Sequence, residues 1–479
     1  MNAVFIPFCT PGGHYVFDAN RNSILKVDAD DYGILLESYK NIRYESNSVI
    51  NKYRQKGFLL PSNLKEIKHP ETEMMEFHLA NRIEKITLQL TQECNLRCSY
   101  CVYSGNYENR SHGRRSMTFD IAKQGIDFLH SHSKDRHKVN IGFYGGEPLL
   151  ETDLLEECVE YAEKCFEEKG LTFTITTNGT LLNDSITEFL IKHNFDVLIS
   201  LDGPKEIHDN NRKLANGKGS FDLIIKNVRN IKEKYPEFFK KINFNVVISP
   251  ENDFKCVKDF FDAEDVLMSD YINRTTLSDN YAKNKPAYDE NFYAVSSYEK
   301  FKLYLWLLKK ISKRNVSKLF IQDFSRLMLD YEFLSPIRKL PETYHPSGPC
   351  LPGVRRPLIT IDGKILPCER VNEESETMIL GDVYKGIDVE KAKRILNVGQ
   401  VSKEECKGCW SLLKCTACAA AADENNELTK RKKLLKCGGI RYSALENMKD
   451  ICFLTENGFD MDYVFDSNEQ LGLGEEKDA

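Results

Sequence analysis

The chain has 479 residues, which is long for a single core and suggests about three domains. Its net charge of −6, with acidic and basic residues interspersed, does not describe a nucleic-acid binder. No apolar run approaches the roughly 20 residues that span a bilayer. Met1-Asn-Ala-Val-Phe-Ile-Pro-Phe8 also lacks the basic-then-apolar layout of a signal peptide, so a cytoplasmic protein without membrane contact is expected.

Residues 1 to about 80 read as a small separate domain. His14-Tyr-Val-Phe-Asp18 and Ser23-Ile-Leu-Lys-Val27 are strand-like, and the turn-rich Ala19-Asn-Arg-Asn22 makes them a hairpin. Helical spacing follows over 29–39 and 46–55, and Lys56-Gly-Phe-Leu-Leu60 closes the unit. Hairpin plus helices resembles the winged-helix precursor-recognition element fused to enzymes that modify ribosomally made peptides. The resemblance implies that a leader peptide adds as a strand to the sheet edge; the alternative is a capping domain with no ligand. Residues 62–82, rich in Glu, Lys and His, read as a linker.

Fifteen cysteines without a secretion signal point to metal rather than disulfides. Cys9, Cys158, Cys165, Cys256 and Cys452 stand outside any spaced group. The first group, Cys94-Asn-Leu-Arg-Cys98-Ser-Tyr-Cys101, follows the alternating run Ile86-Thr-Leu-Gln-Leu-Thr91. Three thiolates at C-x3-C-x2-C spacing can each ligate one iron of a cube and leave the fourth iron open; a zinc loop is the alternative. With Tyr100 before its last cysteine, the motif resembles the signature of radical S-adenosylmethionine (SAM) enzymes. The resemblance implies a 4Fe-4S cluster whose open iron is chelated by SAM, and cleavage of SAM to a 5′-deoxyadenosyl radical that takes hydrogen from substrate.

From 84 to 315 strands are expected at 85–91, 139–144, 171–177, 195–201, 242–248 and 270–276. Helices are expected at 118–132, 150–169, 183–193, 220–235, 255–266 and 296–313, with 277–295 loop-like. Such alternation implies parallel strands and right-handed crossovers, and six repeats suit the partial (β/α)6 barrel of that family. Sites in these sheets collect at the strand C-termini, where Gly145-Gly146-Glu147-Pro148 lies. Two glycines allow close backbone approach, and Glu147 can accept from an ammonium. The resemblance makes this the motif that holds the SAM amino group. It also implies ribose or methionine contacts from Asn178 and Ser200, a role for Asp202 toward SAM or substrate, and a SAM carboxylate contact from Arg212, whose guanidinium matches a carboxylate bidentately. Val246 to Ser249 could pack on adenine.

A helical bridge is expected over 316–345. Beyond it Cys350, Gly363, Cys368, Cys406, Cys409, Cys415, Cys418 and Cys437 resemble the SPASM domain of radical SAM enzymes, expected over 346–455. Cys415 and Cys418 depart from that pattern by enclosing two residues rather than three. Ile359 to Leu366 reads as a hairpin with an Asp-Gly turn that carries Cys368 back toward Cys350. The resemblance implies a distal auxiliary cluster on Cys406, Cys409, Cys415 and Cys437, and a proximal one on Cys350, Cys368 and Cys418. The usual fourth proximal cysteine, between Cys350 and Gly363, is missing, and Cys452 is the spare nearby. A zinc ribbon is the alternative. Residues 456–479 read as an acidic tail.

Together the motifs imply an α/β enzyme with three 4Fe-4S clusters that installs a thioether, of sactipeptide or ranthipeptide type, in a ribosomally synthesised precursor. Flavodoxin or ferredoxin would be the electron donor. The alternatives are a C–C crosslinking maturase, an anaerobic sulfatase-maturating enzyme and a non-enzymatic iron–sulfur scaffold.

Overall fold

The computed structural model describes residues 3–41, 48–108, 110–263, 272–277, 280–346 and 350–461. The acidic tail beyond Met461, and the expected element ends at 264–266 and 270–271, lie outside these residues.

The N-terminal segment forms a three-stranded antiparallel sheet of β1 (Phe5–Thr10), β2 (Gly13–Asp18) and β3 (Ser23–Val27), followed by helices Ala29–Asn41 and Ser48–Gln55. The expected hairpin is β2 and β3; β1 is an addition. Its first four residues are all buried, so it shows no alternation. Phe5 packs on the module's own helices, whereas Ile6 and Phe8 join a second cluster with Trp410, Met448 and Cys452. Asp18, fully buried, ties the module together. Its Oδ1 accepts from the Asn20 amide at 2.9 Å, and its Oδ2 accepts from the Leu59 amide at 2.8 Å.

Six parallel strands follow: β4 (Lys85–Thr91), β5 (Lys138–Gly145), β6 (Gly170–Thr177), β7 (Phe195–Ser200), β8 (Ile242–Ile248) and β9 (Ile272–Thr276). Each pairs with the next in sequence, and helices Phe119–His132, Thr152–Cys165, Asp184–Lys192, Phe221–Lys234, Phe254–Ala263 and Glu290–Leu307 follow them in turn. This is the partial (β/α)6 barrel. Phe143, Phe173 and Phe195 on three adjacent strands stack beneath the helices, with ring centroids 5.1–6.1 Å apart. Thr118 and Asn183 cap two of the helices through side-chain oxygens. The sixth helix begins at Glu290, inside the stretch expected to be a loop, because Asp289 caps it by accepting from the Phe292 amide at 2.7 Å. It ends at Leu307, short of the expected 313, and the helical bridge expected over 316–345 contains the helix Ile321–Glu332.

The sheet does not stop at the barrel. β10 (Leu358–Ile359) lies parallel to β4, with Leu358 opposite Thr87, and pairs antiparallel with β11 (Lys364–Leu366). The turn between them has Gly363 at φ +78°, and Gly125 keeps helix Phe119–His132 close to it, since a Cβ there would come within 2.7 Å of Ile359. Residues 62–82, expected as a linker, are docked instead. Glu66–Ile67 pairs with Thr343–Tyr344, and Met75–Asn81 is a helix. The last helix, Lys430–Glu456, runs from the C-terminal cysteines back to the N-terminal sheet, where Glu456 accepts from Thr10 Oγ1 at 2.5 Å and from the Tyr15 hydroxyl. No helix of the described residues is long and apolar enough to cross a membrane.

Replacing Asp18 by alanine leaves buried backbone amides without an acceptor, at a cost of roughly 2 kcal/mol. Amide exchange is expected to speed up across residues 3–60 and to stay slow in β4–β8; unchanged exchange near Asn20 and Leu59 would refute this account of Asp18.

Candidate active site

β4 delivers the chain into the cysteine loop, and β5 returns beside it. The Gly146 amide donates to the Thr91 carbonyl at 2.8 Å, and the Glu147 amide donates to the Glu93 carbonyl at 2.9 Å. A Cβ on Gly146 would sit 2.0 Å from the Glu93 oxygen, and one on Gly145 (φ +140°) 2.2 Å from the Thr91 oxygen. The close approach that requires these glycines is therefore to the cysteine loop of the same chain, not only to a ligand. Within that loop the Leu96 amide points at Cys94 Sγ (3.4 Å) and the Tyr103 amide at Cys101 Sγ (3.4 Å). Leu96–Cys98 pairs antiparallel with Arg212–Leu214, so Arg212 stands opposite Cys98 in the register.

Glu147 is fully buried. Its Oε1 accepts from Thr177 Oγ1 at 2.7 Å and the Leu149 amide at 3.1 Å, and its Oε2 accepts from the Asn178 amide at 2.7 Å. Pro148 behind it opens a short turn of helix. Among the described residues no cationic side chain pairs with Glu147. Burial pushes its carboxyl up to about 7, against the three hydrogen bonds that pull it down.

Asn178 is fixed by Thr180, whose hydroxyl donates to its Oδ1 at 2.6 Å, and its Nδ2 donates to Asn95 Oδ1 at 2.8 Å while lying 3.8 Å from Cys94 Sγ. Ser200 is buried at the end of β7. Asp202, fully buried, accepts from Arg212 Nε at 3.0 Å and from the Tyr100 hydroxyl through Oδ2, and from the Val247 amide at 3.3 Å through Oδ1. Arg212 covers the Tyr100 ring at 5.4 Å and turns Nη1 toward Cys98 Sγ at 4.0 Å. The expected SAM contacts from Asp202 and Arg212 thus meet a carboxylate and a guanidinium already paired with each other beside a cluster thiol.

A second polar group, inside the barrel, was not visible in the sequence. Gln89 of β4 donates from Nε2 to the Tyr103 hydroxyl at 2.8 Å and to Glu373 Oε2 at 2.9 Å, and Glu373 lies 3.3 Å from Arg110 Nε. Arg110 is buried over the Tyr103 ring, and its Nη1 and Nη2 have no hydrogen-bond acceptor among the described residues. The one hint in the sequence is a glutamine in the middle of an apolar strand.

The C-terminal cysteines fall into two groups. Cys350 lies in the field of Cys418, and Cys368 in that of Glu369 and Cys350, with Arg356 near both. Cys409 has Cys406 and Cys415 as neighbours, and Cys415 has Cys406 and Cys437. Cys452 belongs to neither. It packs with Tyr15, Trp410 and Met448, near Glu456.

The residues fit SAM and an iron–sulfur cluster. Burial pushes the free thiols of Cys94 and Cys98 up to about 11 and 12, and raises Cys101, so only metal ligation would make them thiolates near neutrality. Side-chain and backbone donors already aim at all three sulfurs, and Glu147 is a buried carboxylate that lacks a cation. Among the described residues no three His, Cys, Asp or Glu side chains converge on a single-ion site.

Residues 88–262 match the family model of the radical SAM superfamily. A cysteine-type anaerobic sulfatase-maturating enzyme of Clostridium novyi is 29% identical over 293 residues, covering 58% of this chain and 71% of that one. The radical SAM cyclopropyl synthase TigE of Paramaledivibacter caminithermalis is 26% identical over 262 residues, 49% of this chain and 53% of that one. Native anSMEcpe with bound AdoMet superposes with a TM-score of 0.57 at 21% identity, over 78% of this chain and 99% of that chain. At that identity the likeness speaks for the fold.

Because an ammonium requires Glu147 ionised, SAM affinity is expected to fall as pH drops through about 7, by up to about tenfold per unit below it. Glu147→Gln should flatten this dependence and cost roughly 1.5–3 kcal/mol at pH 8. Equilibrium dialysis of SAM against reconstituted protein from pH 6 to 8 decides it; an equally steep profile in the variant would exclude Glu147 as the titrating group.

Proposed function

The chain is a radical SAM enzyme, and from that premise we propose that it matures a ribosomally synthesised peptide by closing a thioether between a cysteine sulfur and a carbon of that peptide. The observation that carries the reading is the group Cys350, Cys368 and Cys418, three thiols without a fourth, joined to the barrel by the β10–β11 hairpin. Cys452, the spare cysteine, is packed against the N-terminal sheet instead.

When bound, SAM and its 4Fe-4S cluster supply removal of one hydrogen atom from the peptide. Glu147 receives the SAM ammonium, while Asn178 and Arg212 donate toward the sulfurs of Cys94 and Cys98. Cys350, Cys368 and Cys418 would hold a proximal auxiliary 4Fe-4S cluster with one position left for the peptide thiol, which ligation would deprotonate. Cys406, Cys409, Cys415 and Cys437 would hold a complete distal cluster. The balance is one C–H and one S–H lost and one C–S bond formed: the hydrogen atom goes to the adenosyl group, the thiol proton to solvent, and the remaining electron to an auxiliary cluster. Gln89, Tyr103, Arg110 and Glu373 would line the peptide's path, where the free Nη donors of Arg110 could take a peptide carbonyl. The N-terminal module would bind the leader along β3, the edge of its sheet. A flavodoxin or ferredoxin would supply the electron for SAM.

Anaerobic reaction of reconstituted enzyme with SAM, reductant and the precursor is expected to remove two hydrogen atoms from the peptide and one free thiol per crosslink. Mass loss with all thiols retained would indicate C–C closure. A second reading, sulfatase-type maturation, is favoured by the match to 71% of the Clostridium novyi enzyme, and an aldehyde formed at a cysteine or serine of a sulfatase peptide would establish it. Cys452→Ala should keep normal iron content and coupling; loss of the proximal cluster in that variant would rule out the open position. Adding precursor should slow amide exchange at Ser23–Val27, and unaltered exchange there would count against leader addition at β3.

A further inference from the structure

Lys433 is one of the largest fully buried side chains in the protein, at 1% exposure, and it is a cation. It lies on the last helix, one turn before Cys437. Its Nζ donates to Ser402 Oγ at 2.8 Å and to Cys406 Sγ at 3.4 Å, and Ser402 Oγ is itself 3.4 Å from that sulfur. Among the described residues no carboxylate comes within ion-pair distance of Nζ. Glu405, which feels the charge of Lys433, is paired with Lys430.

An ammonium taken out of water costs several kcal/mol unless an opposite charge meets it. With Glu405 taken by Lys430, the groups beside it that can become negative include the thiols of Cys406, Cys415 and Cys437, and Cys415 lies in the lysine's field. Four thiolates around an oxidised cube carry a net charge of about −2, and reduction adds one more negative charge, so a fixed cation in contact with one sulfur favours the reduced form. Charge and hydrogen bonds to sulfur are among the factors that set such potentials.

We propose that Lys433 is the charge partner of the distal cluster and, with Ser402, holds its reduction potential up. The lysine acts through the Cys406 sulfur and touches no substrate, so it is a positioning residue. This rests on the two-cluster reading above, and the test separates the two.

The full-length protein is reconstituted anaerobically, its iron counted, and the auxiliary clusters titrated by EPR-monitored potentiometry without SAM. Lys433→Gln, which keeps length and polarity but removes the charge, should retain its iron and move one auxiliary midpoint to more negative potential, leaving the other unchanged. Lys433→Arg, which restores a cation, should bring that midpoint back toward the wild-type value. An iron-replete Lys433→Gln variant with an unmoved midpoint overturns the proposal. Should Lys433→Gln fail to load iron, Ser402→Ala carries the test. It keeps the ammonium and removes one donor, so the same midpoint should move negative by less; an unmoved midpoint there overturns the proposal as well. Iron sufficient for only two of the three clusters in the wild-type protein, with a single auxiliary signal, would instead overturn the two-cluster reading.

Discussion

Two backbone hydrogen bonds, Gly146 to Thr91 and Glu147 to Glu93, fix the cysteine loop against the end of β5. They can form only because Gly145 and Gly146 have no Cβ, which would otherwise lie about 2 Å from a carbonyl oxygen. The rest of the site depends on that contact. It sets Glu147 beside Thr177 and the Asn178 amide at the end of β6, and Asn178 in turn faces Cys94. From the other side, Arg212 reaches Cys98 because a short antiparallel pairing aligns the two residues. The buried carboxylate, three shielded thiols and a guanidinium are thus held by backbone geometry, as preorganisation of an electrostatic site requires.

Electrostatics at the two ends of the protein follow different rules. Near the barrel mouth, Arg212 is matched by Asp202, both buried, and Arg110 by Glu373. At the distal cysteines, Lys433 has only a hydroxyl and a sulfur. Burial raises the thiols of Cys409 and Cys415, which disfavours their thiolates until a metal displaces the protons. On the proposed two-cluster reading, metal loading and charge balance would be linked, and the C-terminal region would acquire its full order only as its thiols become thiolates.

Local pattern in the sequence made the parallel barrel and the cysteine groups legible. Strands β4, β6 and β8 alternate apolar and polar residues between turns, and the motifs sit at strand ends, where the chain must leave the sheet. What was not legible depends on segments distant in sequence. β1 is buried on both faces, so its register with β2 leaves no alternating signature. The docking of β10 on β4 rests on two residues. Gln89, Tyr103, Arg110 and Glu373 come from three separate stretches, and only folding makes them neighbours. The polar composition of 62–82 suggested a linker, yet tertiary pairing with Thr343–Tyr344 overrides it. Cys452 looked like a spare ligand because it is near in sequence, but helix Lys430–Glu456 packs it among Tyr15, Trp410 and Met448 against the N-terminal sheet.

That helix bears on modularity. An element that begins among the distal cysteines and ends by accepting hydrogen bonds from Thr10 and Tyr15 docks the N-terminal sheet onto the C-terminal region. Trp410, next to Cys409, packs edge-on against Phe17 at 6.4 Å and closes the joint. The N-terminal module is therefore not an interchangeable cartridge. A chimera that exchanges residues 1–60 for those of another protein must also exchange the surface formed by Trp410 and by Ala444 to Glu456, or it will expose the apolar face that Ile6, Phe8 and Phe17 now cover. The boundary that matters for such a graft does not fall in the chain between two domains but runs along one side of a helix.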